Sequence, residues 1–393
     1  MENRNCEDVI SLCTEMIKAP SYSGQENLVV DVIKKYAGEH GFDEIYVDRY
    51  GNCICRIKGS RPGKKILFDG HMDTVPVPDA SVWLHDPFGA EIEDGKMYGR
   101  GTSDMKGALS AMLVAAASFA EDTKKDFVGD IYISGVVHEE CFEGVAAREI
   151  SEYVKPDVVI IGEASQLNIK IGQRGRAEII VETFGIPVHS ANPEKGVNAV
   201  YKMMKIIETI RDIEPKEHPA LGKGILELTD IKSSPYPGSS VVPSYCKATY
   251  DRRLLTGETK KSVLEPLQKV LEELKVADPE LNAKISFATG EEKCFTGETI
   301  VGERFFPGWM FDENESYIQD VLAELREQGF DPGISNYNFC TNGSHYAGEA
   351  GIQTLGIGPS RENLAHTIDE YIELEQLENV AKCYYGVMKA LLK

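Results

Sequence analysis

Three short apolar runs in the first half of the chain each stop on a cluster of histidines and carboxylates. Residues 65–69 end on Gly70-His71-Met72-Asp73, 130–137 on His138-Glu139-Glu140, and 157–161 on Gly162-Glu163. Apolar runs of this length, bounded by turn-forming residues, read as strands. Helical patterns lie around and between them: 6–18, closed by Pro20; 25–40, closed by Gly41; and 106–120, which follows Gly99-Arg100-Gly101. Two more strand-like runs occupy 44–49 and 52–58. Strands alternating with helices predict an α/β domain with a mixed, largely parallel sheet. In such open sheets ligands bind in the crevice beyond the carboxyl ends of the strands. Polar clusters far apart in sequence can therefore converge on one site.

The pattern changes near residue 175. Strand-like 176–184, helical 197–213, strand-like 224–231 and 244–254, helical 260–276 and strand-like 283–288 follow in the order βαββαβ. That is the ferredoxin-like arrangement. Helix and strand patterns then resume at 315–328 and 351–356, and a helix at 373–392 closes the chain. A chain of 393 residues is long for one core. The expected organisation is a catalytic domain in two parts, 1–175 and 297–393, with 176–296 inserted as a lid or dimerisation domain.

The net charge of −21 excludes whole classes of partner. Nucleic acid and anionic membrane surfaces would be repelled. The most apolar helical stretch, 108–120, is shorter than the ~18–20 residues a membrane span needs. No basic region followed by an apolar run opens the sequence, so a cytoplasmic protein with reduced thiols is expected. The nine cysteines are scattered; only Cys53 and Cys55 stand close, facing one way along a strand. A zinc site built from thiolates is not expected, because no second close pair complements them.

Each polar cluster has a chemical reading. His71, at a strand end, can ligate a metal while Asp73 hydrogen-bonds its other ring nitrogen and fixes the tautomer. Asp104 follows a glycine loop, and its two oxygens can bridge two cations. That same aspartate argues against a phosphate-binding loop there, which also lacks the required spacing. Glu139 and Glu140 are adjacent carboxylates at the end of a buried strand and repel each other unless a cation compensates. One can ligate while its neighbour serves as a base. Glu163 and His366 complete the set. Singly, each also fits a plain role as surface turn, acidic loop or helix cap; the combination is what points to metal. Nitrogen and oxygen ligands without sulfur suit catalytic zinc, with cobalt or manganese as substitutes.

At this point the chain resembles the dizinc aminoacylase and exopeptidase family that includes acetylornithine deacetylase, succinyl-diaminopimelate desuccinylase and carboxypeptidase G. The resemblance spans nearly the whole chain. It is carried by Gly70-His71-Met72-Asp73-Thr74-Val75-Pro76, Trp83, Asp86-Pro87-Phe88, Gly99-Arg100-Gly101, Asp104-Met105-Lys106-Gly107 and the Glu139-Glu140 pair. Among relatives the chain is most similar to hydrolases linked by gene neighbourhood to selenium and purine metabolism. The resemblance implies a phosphorylase/hydrolase-like catalytic domain and two zinc ions, one held by His71, Asp104 and Glu163, the other by Asp104, Glu140 and His366. It implies that Asp73 orients His71, that Glu139 is the general base, and that the Asp104–Met105 peptide is cis. It implies that His189 reaches a neighbouring subunit's site in a homodimer built through the lid. Arg253, with Arg252 as fallback, would grip the carboxylate of a small amide substrate.

Three positions depart from the family pattern. Ser240 precedes Val241-Val242-Pro243 where asparagine is common, which puts its support of the oxyanion in doubt. Ala164-Ser165 follow Glu163 in place of Pro-Thr. His345 stands where many relatives have aspartate, near the expected pocket with Arg361. The expected reaction is deacylation of an N-acyl amino acid or removal of a terminal amino acid from a small peptide. Hydrolysis of an N-carbamoyl compound on the same scaffold, or a non-catalytic metal-binding relative, are the competing readings.

Overall fold

The computed structural model describes residues 3–393. The chain divides into two compact units, the second comprising Arg174–Gly290 with Gly302–Trp309 and the first the remainder.

The first unit is built on a twisted mixed sheet. From one edge its strands run Glu44–Val47, Cys53–Lys58, Val128–Val136, Arg61–His71, Val158–Ile161, Gln353–Gly356 and Ile169–Gln173, with Ile334–Tyr337 beyond. The four central strands, from Val128–Val136 to Gln353–Gly356, are mutually parallel. Ile66, Leu67 and Phe68 are fully buried, as are Val158, Val159 and Ile160. A parallel strand covered on both faces needs such a continuous apolar run. The helix Gly107–Thr123 is buried almost all round, which explains its alanine-rich composition. It packs with Asn3–Ile17 and with Leu374–Leu391, while Asn27–Glu39 and Ala147–Val154 lie on strands of the sheet. Among the described residues no helix is long and apolar enough to cross a membrane.

The strand expected at 65–69 runs from Arg61 through His71. A small three-stranded sheet, not foreseen in the sequence, pairs Tyr371–Glu373 with Lys96–Tyr98, and the latter with Glu91–Glu93. These strands are three residues each, too short for periodicity to register.

The second unit has the order strand Gly175–Phe184, helix Ala199–Arg211, strands Ile225–Ser234 and Tyr245–Leu254, helix Lys260–Ala277 and strand Asn282–Phe287. In space the strands lie Ile225–Ser234, Tyr245–Leu254, Gly175–Phe184, Asn282–Phe287, all antiparallel. This is the ferredoxin-like order. Its core draws on alternate strand residues (Ala177, Ile179, Val181; Cys246, Ala248, Tyr250) and on helical spacing at Met203, Ile206 and Ile210. Asn198 caps one helix by accepting the N–H groups of Val200 and Tyr201, and Thr259 and Ser262 form a capping box on the other. Each cap contributes ~1 kcal/mol.

Candidate metal centre

His71, the His138–Glu140 loop and Glu163 follow three adjacent parallel strands, and the fourth, Gln353–Gly356, leads towards His366. The sheet thus delivers all four segments to one edge. The Asp104 turn, Thr102–Lys106, lies between the strand Lys96–Tyr98 and the buried helix Gly107–Thr123.

The buried His71 ring sits at the centre. Its Nδ1 lies 2.8 Å from the Asp73 carbonyl oxygen. A carbonyl can only accept, so Nδ1 carries a proton, and Nε2 is the nitrogen turned towards Asp104, where it donates when protonated and can ligate a cation when not. Nε2 lies 2.8 Å from Asp104 Oδ1 and 3.6 Å from Glu163 Oε1. The other Asp104 oxygen, Oδ2, lies 3.2 Å from His366 Nε2, which is 3.0 Å from Glu140 Oε2. His366 is half exposed, whereas His71 is 1% exposed. The Asp104–Met105 peptide is cis.

Asp73 does not meet His71 in the way the sequence suggested. Its carboxylate is 3.7 Å from Nδ1, beyond a hydrogen bond. The carboxylate instead accepts the N–H groups of Glu139 at 3.0 Å and Glu140 at 3.2 Å, and the Ser23 hydroxyl at 2.7 Å. Buried backbone donors that lack other partners are costly, and they take the carboxylate in preference to the ring.

Among the described residues only the two histidines pair with the side chains of Asp104, Glu140 and Glu163; no lysine or arginine joins them. Burial pushes the carboxyls of Glu139 and Glu163 well above their usual range, and raises Glu140 as well, the Asp104 charge adding to the effect at Glu140 and Glu163. Burial pulls the His71 imidazole down, but its hydrogen bond to Asp104 and the charge of Glu163 outweigh this and raise it. Converging carboxylates in a dry site call for a compensating cation. Ligand-type atoms of His71, Asp104 and Glu140, and likewise of His71, Glu139 and Glu163, lie within 4.8 Å of one another. These oxygen and nitrogen donors fit divalent cations. One Glu139 oxygen, Oε1, is buried with no hydrogen-bond partner.

The remaining expected residues are distributed as follows. His345 is buried on the turn Ser344–Glu349, outside the ligand cluster. Its Nδ1 is 2.9 Å from Glu349, which also holds Arg148 through two bonds of 2.7 and 2.9 Å. Arg361 is exposed and paired with Glu373 at 3.2 Å. In the second unit, His189 and Ser240 lie side by side on exposed loops: His189 bridges Val241, and Ser190 N–H donates to the Ser240 carbonyl at 3.0 Å. Arg253 is partly exposed and donates to Asp251 at 2.8 Å. Arg252 cannot serve as its fallback. It points to the other side of the strand, where Glu258 holds it in a buried ion pair at 2.6 Å.

Two buried carboxylates of the first unit escaped the sequence reading. Asp69 accepts Asn342 Nδ2 at 2.9 Å and the Tyr346 hydroxyl at 2.8 Å. Glu370 holds the Asp104 loop from below. Asp69 stands two residues before His71 and Glu370 four after His366. Proximity to a histidine was the available signal, but nothing in the local pattern marked either as buried.

The pattern of the peptidase family M20/M25/M40 matches residues 67–390. The chain is 29% identical over 385 residues to the uncharacterized protein YgeY of Escherichia coli (strain K12), covering 97% of this chain and 93% of the relative. It is 27% identical over 394 residues to succinyl-diaminopimelate desuccinylase 2 of Ruegeria sp. (strain TM1040), covering 96% and 93%. The fold is similar to that of aminopeptidase PepT from Bacillus cereus ATCC 10987, with a TM-score of 0.75, 19% identity and 98% of each chain covered. With the match spanning most of its length, the chain belongs to the peptidase family M20/M25/M40 and is a metal-dependent hydrolase of amide or peptide bonds.

Proposed function

We propose that this hydrolase uses two zinc ions to cleave the amide bond of a small carboxylate-bearing molecule, an N-acyl amino acid or a short peptide. The observation that carries the reading is the position of Asp104, whose two oxygens face two different histidines at 2.8 and 3.2 Å. His71, Asp104 and Glu163 would hold one ion, and Asp104, Glu140 and His366 the other. When bound, such ions would lower the pKa of a water towards neutrality and polarise the amide carbonyl, and cobalt or manganese could replace zinc.

The chain's own residues supply the rest. Glu139 takes the proton of the attacking water and returns it to the leaving amine. Its partnerless Oε1 and its backbone anchor on Asp73 support this role. His189 would donate to the oxyanion and Arg253 would grip the substrate carboxylate, with Ser240 beside His189. Arg253 is accessible enough for this, being partly exposed with one exchangeable partner, Asp251. His345 lies on the turn after Thr341-Asn342-Gly343 and would tune the substrate pocket. The inserted unit would serve as lid and as the contact of a homodimer, since Ile225–Ser234 leaves one strand edge unpaired. A cytoplasmic location suits the buried thiols of Cys53 and Cys55.

The test is free-amine release from pooled N-acyl amino acids and dipeptides by zinc-, cobalt- or manganese-loaded protein. Release that requires both metal and Glu139 is the expected result. Absence of release from fully loaded protein, with turnover of N-carbamoyl amino acids instead, would replace the deacylase reading by a carbamoylase one.

A further inference from the structure

The cluster around Asp104 contains a buried carboxylate with no place in the chemistry above. Glu370 is fully buried. Its Oε1 accepts three backbone N–H groups of one loop: Gly101 at 3.1 Å, Ser103 at 2.8 Å and Asp104 itself at 3.1 Å. Its Oε2 accepts Arg100 Nη1 at 2.6 Å. The Glu370 carbonyl in turn accepts the Gly99 N–H at 2.8 Å. Pairing of Tyr371–Glu373 with Lys96–Tyr98 brings it there. A second tie follows at once, since the Ser103 hydroxyl donates to the Tyr371 carbonyl at 2.6 Å.

Four residues before Glu370 stands His366. The segment 366–370 therefore touches the centre at both ends, with an imidazole against Asp104 Oδ2 and Glu140, and a carboxylate under the Asp104 backbone. Resting on the metal reading above, we propose that Glu370 is a positioning residue that sets the affinity of the His366-side cation in preference to the His71-side one.

The asymmetry follows from which ligands the clip holds. Two of the three ligands on the His366 side, His366 and Asp104, depend on it. On the His71 side only Asp104 does. His71 is fixed independently by its strand and by the Asp73 carbonyl, and Glu163 follows a strand of its own. His366 is also half exposed and has left-handed backbone, φ 64°, in a segment without regular structure, whose other side-chain ties are Asp369, accepting the Leu84 and His85 N–H groups, and the Thr367 hydroxyl, donating to the Leu364 carbonyl. Loss of the clip should free His366 and let the Asp104 loop relax while the His71 side stays built. Residues that hydrogen-bond to ligands commonly alter metal affinity about 10–100-fold.

The experiment is equilibrium dialysis of full-length wild type and Glu370→Gln against buffered free zinc, with bound metal counted by mass spectrometry. Thermal midpoints are taken with and without metal. Glutamine keeps the shape but loses the charge that Arg100 and three N–H groups face. Wild type is expected to hold two ions. Glu370→Gln is expected to hold one at a free zinc level where wild type holds two, its weaker site loosened about 10–100-fold. In a His366→Ala background, which leaves the His71 side alone, adding Glu370→Gln should change the remaining affinity much less. The metal-induced rise in thermal midpoint should shrink beyond any change in the metal-free midpoint, because stabilisation tracks site occupancy. Should Glu370→Gln fail to fold, Glu370→Asp withdraws the carboxylate by one methylene and tests the same asymmetry. Equal weakening of both sites, or two unaltered sites, overturns this proposal while leaving the dinuclear reading intact. A wild type that binds fewer than two ions overturns the dinuclear reading itself.

Discussion

The Asp73 carboxylate accepts the backbone N–H of Glu139 at 3.0 Å, while the Asp73 carbonyl takes the ring of His71 at 2.8 Å. One residue thus ties the end of the strand Arg61–His71 to the loop after its neighbour, Val128–Val136. Asp73→Asn keeps the carbonyl but weakens the acceptor for the Glu139 and Glu140 N–H groups. Activity should fall about 10–100-fold, with the metal count at saturating zinc unchanged. Steady-state kinetics beside metal analysis checks this; loss of bound metal in step with activity would mean that the carboxylate serves His71 after all.

Glu139→Gln preserves size and the backbone anchor but cannot take up a proton. The expected result is full metal occupancy and a kcat lower by about 10²–10⁴-fold. A variant that stays active removes Glu139 from the mechanism.

Metal removal should make stability fall with rising pH. Burial holds the Glu139, Glu140 and Glu163 carboxyls above their ordinary value of 4.5. Groups raised in this way favour the folded state while protonated. Their contribution is complete below about 4.5 and is lost as pH climbs through the raised values. His71, also raised, acts in the same direction. The thermal midpoint of chelated protein should therefore decline as pH rises above about 4.5, where a bound cation would replace the missing protons and flatten the curve. Thermal scans in matched buffers with and without chelator decide it; a chelated protein that gains stability over this range contradicts the argument.

Adjacent arginines should behave differently. Arg253→Ala is expected to raise KM at least about tenfold, the cost of one charged hydrogen bond to substrate, while leaving the thermal midpoint nearly unchanged. Glu258→Gln strands the buried Arg252 charge and should destabilise the protein by about 3–5 kcal/mol, with little effect on KM. Chemical denaturation and initial-rate kinetics on both variants separate the two roles. A large KM effect from Glu258→Gln would place its pair in substrate binding.

The order of strands and helices was legible because burial imposes a period on the sequence. The apolar runs before His71, Glu139 and Glu163 mark strands covered on both faces, and the alternation at Ala177, Ile179 and Val181 marks one with a single buried face. The side chains that could ligate were legible too, since histidines and carboxylates directly after buried strands are costly unless something compensates them. Tertiary structure alone decided which atoms meet. Asp73 reaches Glu139 and Glu140 rather than His71 because unpaired backbone donors lie within its range. Arg252 is consumed by Glu258 while Arg253 remains accessible, a matter of which face of the strand each occupies and what packs there. Glu370 comes under the Asp104 loop through a pairing of three-residue strands, and its partner Arg100 lies 270 positions before it in the chain. Periodicity reports how a segment meets water or core. It carries no record of a partner so distant in the chain, and only the closing of the fold supplies one.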